Sequence, residues 1–179
     1  MSGYLLDTDI ISALLREPDG RAARHVARVG HRDLCTSVIV AAELRFGCAR
    51  KGSARLQARV ERLLDTIPIL PVDAPVDTEY GGIRAELEAA GHTLGGNDLL
   101  IGAHARALGL TLVTGNTREF ERIRGLALEN WLLRHCWAMS QQPGSGREPQ
   151  FFRGVFYACS PTPIARRRVR VVTVKDKPL

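Results

Sequence analysis

The chain lacks any stretch of about 18 apolar residues free of charge, which excludes a membrane-spanning helix. Its first residues, MSGYLLDTDI, carry an acid at position 7 and no basic lead-in, so they do not read as a secretory signal. A cytoplasmic location is the expectation. Cysteine is scarce: Cys35, Cys48, Cys136 and Cys159 include no close pair, which argues against a zinc knuckle or a dithiol redox motif. Cys35 falls in a strand-like run and reads as a small buried hydrophobe. No internal repeat is visible. The glycine pair Gly95-Gly96 lacks the following Gly-Lys-Ser/Thr of a phosphate-binding loop. His25, His31, His92 and His135 share no ligand spacing, and His104 reads as a helix-surface or packing residue.

A net charge is also missing from most of the chain. Residues 1–134 hold 17 Lys/Arg and 17 Asp/Glu, whereas residues 135–179 hold 8 and 2. The whole excess of +6 therefore belongs to the last 45 residues. It is weak evidence that the body of the protein binds nucleic acid.

What is present is enough apolar residue, 45%, for a core in a chain of 179 residues, the size of one ordinary domain. Strands are expected at 3–7, 33–36, 111–115 and near 127–131, with a short strand or extended link at 66–72. Helices are expected at 9–15, 18–29 (Pro18 in its first turn), 38–50 (capped by Ser37), 53–66, 74–90, 97–108 and 117–121. This alternation predicts an α/β fold with a mostly parallel sheet covered on both faces. Composition changes near 135. MSQQPGSGREPQ reads as a linker, and ARRRVRVVTVKDK as an edge strand or an unfolded basic tail.

Three acids stand at element edges. Asp7 ends the first strand, Glu43 lies in the first turns of the helix after the second strand, and Asp98 opens an apolar helix. They are 36 and 55 residues apart, too far for local pairing. In a parallel sheet, however, strand ends and helix starts gather at one edge. Carboxylates collected there repel one another unless a cation or shared protons offset the repulsion. That pattern suits a hard divalent ion such as Mg²⁺.

Each acid also has a simpler reading. Asp7 can cap a helix, although Thr8 or Asp9 can supply the cap and leave Asp7 free. Glu43 can face solvent near the favourable end of its helix dipole. Asp98 can be a first-turn aspartate stabilised in the same way. These readings account for any one acid better than for the set. Asp9 is a candidate to support Asp7. Glu119 is a weaker fourth acid, because Asn116-Thr-Arg-Glu119 has capping-box spacing with Asn116 as cap. Thr114 and Asn116, at a strand end, are placed to orient water or a phosphate oxygen.

The blocks LLDTDIISALL, TSVIVAAELRFG and YGGIRAELEAAGHTLGGNDLLIGAHARALGLTLVTGNTREFERIRGLALENW resemble the VapC toxins, PIN-domain ribonucleases of type II toxin–antitoxin modules. The resemblance covers about residues 4–133 and implies a three-layer α/β/α PIN fold. It further implies RNA cleavage dependent on Mg²⁺ or Mn²⁺, a cognate VapB-type antitoxin, and homodimers as well as toxin–antitoxin complexes.

By this resemblance the catalytic acids fall on Asp7, Glu43, Asp98 and Glu119, with Asp7, Asp98 and Glu43 holding the metal. The anticodon loop of a tRNA becomes a candidate substrate. Arg45, Arg50, Lys51, Arg55 and Arg59 become candidates for RNA contact, each with a solvated charged face as its alternative. The chain departs from the family pattern at Asp9, where Asn is common, at Gly96, where Pro or Ala is common, and at Asn116, where many PIN domains carry Asp.

The expected organisation is a nuclease domain at 1–134 and a basic extension at 135–179. Members of this type usually end near 133, so the extension is either an added RNA- or partner-binding arm or read-through sequence. Two other functions remain open: a catalytically weak PIN domain that binds RNA or protein, and a metal-dependent phosphoesterase acting on DNA or nucleotides.

Overall fold

The computed structural model describes residues 3–133. The expectations for residues 135–179 lie outside that range. Five parallel strands form one sheet: β1 (Tyr4–Leu6), β2 (Leu34–Ser37), β3 (Ile69–Leu70), β4 (Thr111–Val113) and β5 (Leu128–Glu129), in the spatial order β3-β2-β1-β4-β5. The central registers pair Leu5 with Cys35 on one side and with Leu112 on the other. All four residues of β2 are buried, as a parallel strand covered on both faces requires. The expected three-layer α/β arrangement is thus the one observed, and every strand pairing is parallel.

The helices are α1 (Thr8–Arg16), α2 (Arg21–Val29), α3 (Val38–Lys51), α4 (Ala54–Leu64), α5 (Val76–Ala89), α6 (Gly96–Ala107) and α7 (Thr117–Phe120). A 3₁₀ turn at His31–Asp33 leads into β2. Local chemistry sets several boundaries. Ser37 caps α3 by accepting from the Ile39 N–H at 3.1 Å, and Ser53 caps α4 by accepting from Leu56 at 3.3 Å. Gly52, at φ +61°, closes α3 in the left-handed region that favours glycine. Helix α2 begins at Arg21 rather than at Pro18. Gly20 takes the cap position in extended backbone, and residues 18–19 form a turn.

Leu5, Leu6, Ile10, Ile11, Val40, Ile101, Leu112, Val113 and Phe120 are fully buried and form the centre of the core. Burying each such side chain contributes roughly 1.5–3 kcal/mol. Cys35 and Cys48 are buried and free. Among the described residues no helix is long and apolar enough to cross a membrane.

Candidate functional site: an acidic cluster at the sheet edge

The site forms where the central strands end. The Asp7 amide donates to Val113 O at 3.0 Å, which extends the β1–β4 ladder one residue and delivers Asp7 to the sheet edge beside Thr114. Asp7 is itself the cap of α1: its Oδ1 accepts from the Thr8 N–H at 2.7 Å. The side chains of Thr8 and Asp9, expected as alternative caps, point to other partners. The Thr8 hydroxyl donates to Glu43 Oε2 at 2.5 Å, and Asp9 Oδ2 accepts from the Gly115 amide at 2.7 Å.

Glu43, half-buried on α3, is gripped twice. Besides Thr8, the Asn97 amide at the start of α6 donates to its Oε1 at 2.8 Å. Glu43 therefore does not face bulk solvent as a simple dipole-stabilised residue. Its carboxylate joins the β1–α1 turn, α3 and α6. Asp98 follows Asn97 in the first turn of α6 and is half-buried.

Charge interactions bring the acids into one group. Burial pushes the Asp7 carboxyl up to about 6, against a usual 3.8. The Thr114 hydroxyl and Thr8 amide pull it back, and the charges of Asp9 and Asp98 push it further up. Asp98 is raised first by burial and then by Glu43, Glu119 and Asp9. Asp9 is raised by burial and lowered by the Gly115 amide. Asp98 is thus the electrostatic hub, and Glu119 belongs to the same field.

Asn116 and Glu119 do not form the expected capping box. The Asn116 side chain makes no cap bond, and its N–H is taken by Thr114 Oγ1 at 3.0 Å. The start of α7 is held instead by a backbone bond from Glu119 N to Asn116 O at 3.2 Å. The Glu119 carboxylate is therefore not committed to that helix end. Asn116 is exposed and Thr114 is buried.

The candidate RNA-contact residues Arg45, Arg50, Lys51, Arg55 and Arg59 are all exposed, but several are already engaged. Arg45 makes a two-pronged pair with Glu61 at 2.8 and 2.9 Å. Arg59 donates to Leu15 O, and the Arg50 guanidinium lies 5.8 Å from the centre of the Phe46 ring. His104 is buried and hydrogen-bonded to Ser37 at 3.0 Å, so of the two roles expected it has the packing one and is not on the helix surface.

Thr8 and Asn97 hold Glu43, and Gly115 holds Asp9, but none of the three carries a charge to announce it. Their sequence signal is adjacency to Asp7, Asp98 and Asn116. A Cβ on Gly115 would sit 2.6 Å from Asp9 Oδ2, so a side chain there would displace the carboxylate.

The chemistry of this donor set fits a hard divalent cation. All the converging groups are carboxylate oxygens, neighbouring acids raise the Asp7 and Asp98 carboxyls, and the buried Asp9 Oδ1 has no hydrogen-bond partner. Among the described residues no three His, Cys, Asp or Glu side chains converge closely enough to form a ready cage. Mg²⁺ is compatible with that geometry, since it is usually held by one or two carboxylates and keeps several waters.

The PIN-domain family profile matches residues 4–126. The chain belongs to the PIN-domain family, in its VapC-type toxin branch. It is 38% identical over 130 residues to ribonuclease VapC2 of Rickettsia felis, covering 72% of this chain and 97% of that one. It is 36% identical over 132 residues to the tRNA(fMet)-specific endonuclease VapC of Shigella flexneri, covering 73% and 99%.

Among solved structures it resembles the VapBC2 complex of Rickettsia felis bound to a promoter DNA fragment, with a TM-score of 0.66 and 34% identity over 72% of this chain and 98% of that one. It also resembles DNA-bound VapBC of Salmonella typhimurium, with a TM-score of 0.67 and 32% identity over 73% and 99%. The PIN-domain match thus spans β1 to β4 and includes Asp7, Asp9, Glu43, Asp98 and Glu119.

Proposed function

We propose that this PIN domain is an Mg²⁺-dependent endoribonuclease, with Mn²⁺ as an alternative ion, held inactive by a cognate VapB-type antitoxin. One observation carries the proposal: in a chain of the VapC-type branch, Asp98 lies in the field of Glu43, Glu119 and Asp9, and Asp7 in that of Asp98. Asp7 and Asp98 supply the principal oxygen ligands, and Glu43 assists through water or at a second position. Glu119 completes the acidic wall.

When bound, the ion would lower the pKa of a water and neutralise charge developing on the phosphodiester. The chain's own residues do the positioning. Thr8 and Asn97 fix both oxygens of Glu43, and the Gly115 amide holds one oxygen of Asp9. Thr114 steadies Asp7 and, through the Asn116 amide, the turn after β4. Asp9 and Asn116 together keep an acid near the site while moving it from the end of β4 to α1.

The relatives named for cleavage of tRNA(fMet), from Shigella flexneri and Salmonella typhimurium, are 36% and 34% identical to this chain, which supports tRNA as the substrate class. The solved VapBC complexes support an antitoxin partner, and homodimers belong to the same proposal. Residues 1–134 constitute the nuclease domain in this reading.

The lack of a ready three-ligand cage favours one second reading, a catalytically weak domain that binds RNA or protein. Induction of the chain in a bacterial host, with and without the neighbouring antitoxin gene, separates the two when cleaved RNA 5′ ends are mapped. Growth arrest with discrete new ends, relieved by the antitoxin, is expected. The absence of both arrest and cleavage would sink the ribonuclease reading.

A further inference from the structure

A cavity of about 550 Å³ opens between the end of α1 and the start of α2. Arg16, Arg21 and Arg24 line it, with Glu17 the sole acid in the lining. Among the described residues none of the three arginines has a carboxylate within ion-pair distance. Arg21 donates to Leu132 O at 3.0 Å and Arg24 to Asp19 O at 2.7 Å. These bonds to neutral carbonyls orient the guanidinium groups and leave their charge uncompensated. Arg16 makes no hydrogen bond to the described residues and is exposed.

The cavity and the acidic cluster share helix α1. Asp9, Ala13 and Arg16 stand at i, i+4 and i+7 on one face of α1, so Arg16 lies about 10 Å below Asp9 along the helix axis. Ala13 and Arg16 line the cavity, while Asp9 belongs to the cluster. The positive charge of Arg16 reaches Asp9 and offsets part of its upward shift. Leu132 joins the two from the other side. It lines the cavity, and its Cδ1 lies 3.0 Å from the Cβ position of Gly115, whose amide holds Asp9.

We infer that Arg16, Arg21 and Arg24 hold the phosphate backbone of an unpaired RNA nucleotide flanking the bond that the acidic cluster cuts. The inference rests on the ribonuclease reading and adds the path of the substrate strand. An acidic wall repels RNA, so the strand needs cationic contacts beside it. Of the arginines expected on α3 and α4, Arg45 is committed to the Glu61 carboxylate. The α1–α2 arginines form no ion pair among the described residues, and Arg16 stands on the same face of α1 as Asp9. A volume of this size suits a nucleotide-sized ligand rather than a duplex. The small residues Ala13, Gly20 and Ala22 leave room for the sugar and base.

The test is the salt dependence of binding between the full chain and a fluorescent single-stranded RNA, measured in EDTA so that the strand is not cut. Removing one phosphate contact to a single strand lowers the slope of log K against log salt by ~0.7. Arg16→Gln, Arg21→Gln and Arg24→Gln should each lower it by that amount, and Arg21→Lys should restore it. Arg84→Gln, on α5, should leave it unchanged. Arg16→Gln breaks no hydrogen bond among the described residues, so its result does not depend on refolding. Unchanged slopes in all three glutamine variants, with RNA still bound, would overturn the strand path and leave the ribonuclease reading standing. No RNA binding by the unmodified chain would overturn both.

Discussion

The Thr8 hydroxyl donates to Glu43 Oε2 at 2.5 Å, joining residues 35 apart in the chain. With the Asn97 bond on the other oxygen, it fixes where the Glu43 carboxylate stands. A hydrogen bond to a charged group is worth about 1.5–3 kcal/mol. Thr8→Val should therefore lower single-turnover RNA cleavage by roughly 10- to 100-fold. The fold should hold, since Asp7 still caps α1. Cleavage kinetics alongside a denaturation curve check both halves.

Asp7 imposes a pH dependence on the metal-free protein. Its folded pKa of about 6 stands above the usual 3.8, so the folded state binds more protons than the unfolded state between those values. Stability contributed at low pH is then lost as pH rises through roughly 4 to 6. The difference corresponds to roughly 3 kcal/mol at neutral pH. Asp9 and Asp98, also raised, act in the same direction. In EDTA, Asp7→Asn should raise Tm at pH 7.5 by several degrees and change it little near pH 4. A lowered Tm at pH 7.5 would contradict the account in which burial, and then the charges of Asp9 and Asp98, disfavour the Asp7 carboxylate.

Divalent cation should offset that penalty on the buried carboxylates. Adding Mg²⁺ at pH 7.5 should raise the Tm of the unmodified chain, by an amount that grows with the logarithm of concentration once the site is filled. Asp7→Asn and Asp98→Asn should each flatten the response. A thermal-shift titration is the check.

Glu119 separates two roles by one substitution. Because it makes no side-chain cap bond at α7, Glu119→Gln should change stability by less than about 0.5 kcal/mol. If it completes the acidic wall, the same change should lower cleavage about tenfold and reduce Mg²⁺ affinity. Unfolding and cleavage measured on one preparation decide it.

Much of this organisation is legible in the residues themselves. Tyr4–Leu6, Leu34–Ser37 and Thr111–Val113 are short, largely apolar or hydroxyl-bearing runs followed by helix starts, so the centre of the sheet and its acidic edge follow from pattern. The strands β3 and β5 are two residues each, too short to carry a period. The acids are legible because charge at the lip of an apolar element is conspicuous. Their supports are not. The Glu43–Asn97 bond spans 54 residues and depends on how α3 meets α6. The Asn116 spacing promised a cap, but the nearer Thr114 hydroxyl takes its amide. Of the arginines expected as a rim on α3 and α4, the partners of Arg45 and Arg59 within the chain are not legible in the sequence either.

The central claim is metal-dependent cutting of RNA at this cluster. The most direct measurement incubates the purified full chain with tRNA and mRNA in Mg²⁺ and maps the new 5′ ends, beside EDTA and the Asp7→Asn variant. Discrete cuts that vanish in both controls are the predicted result. Intact RNA in Mg²⁺, or the same cuts from Asp7→Asn, would contradict it.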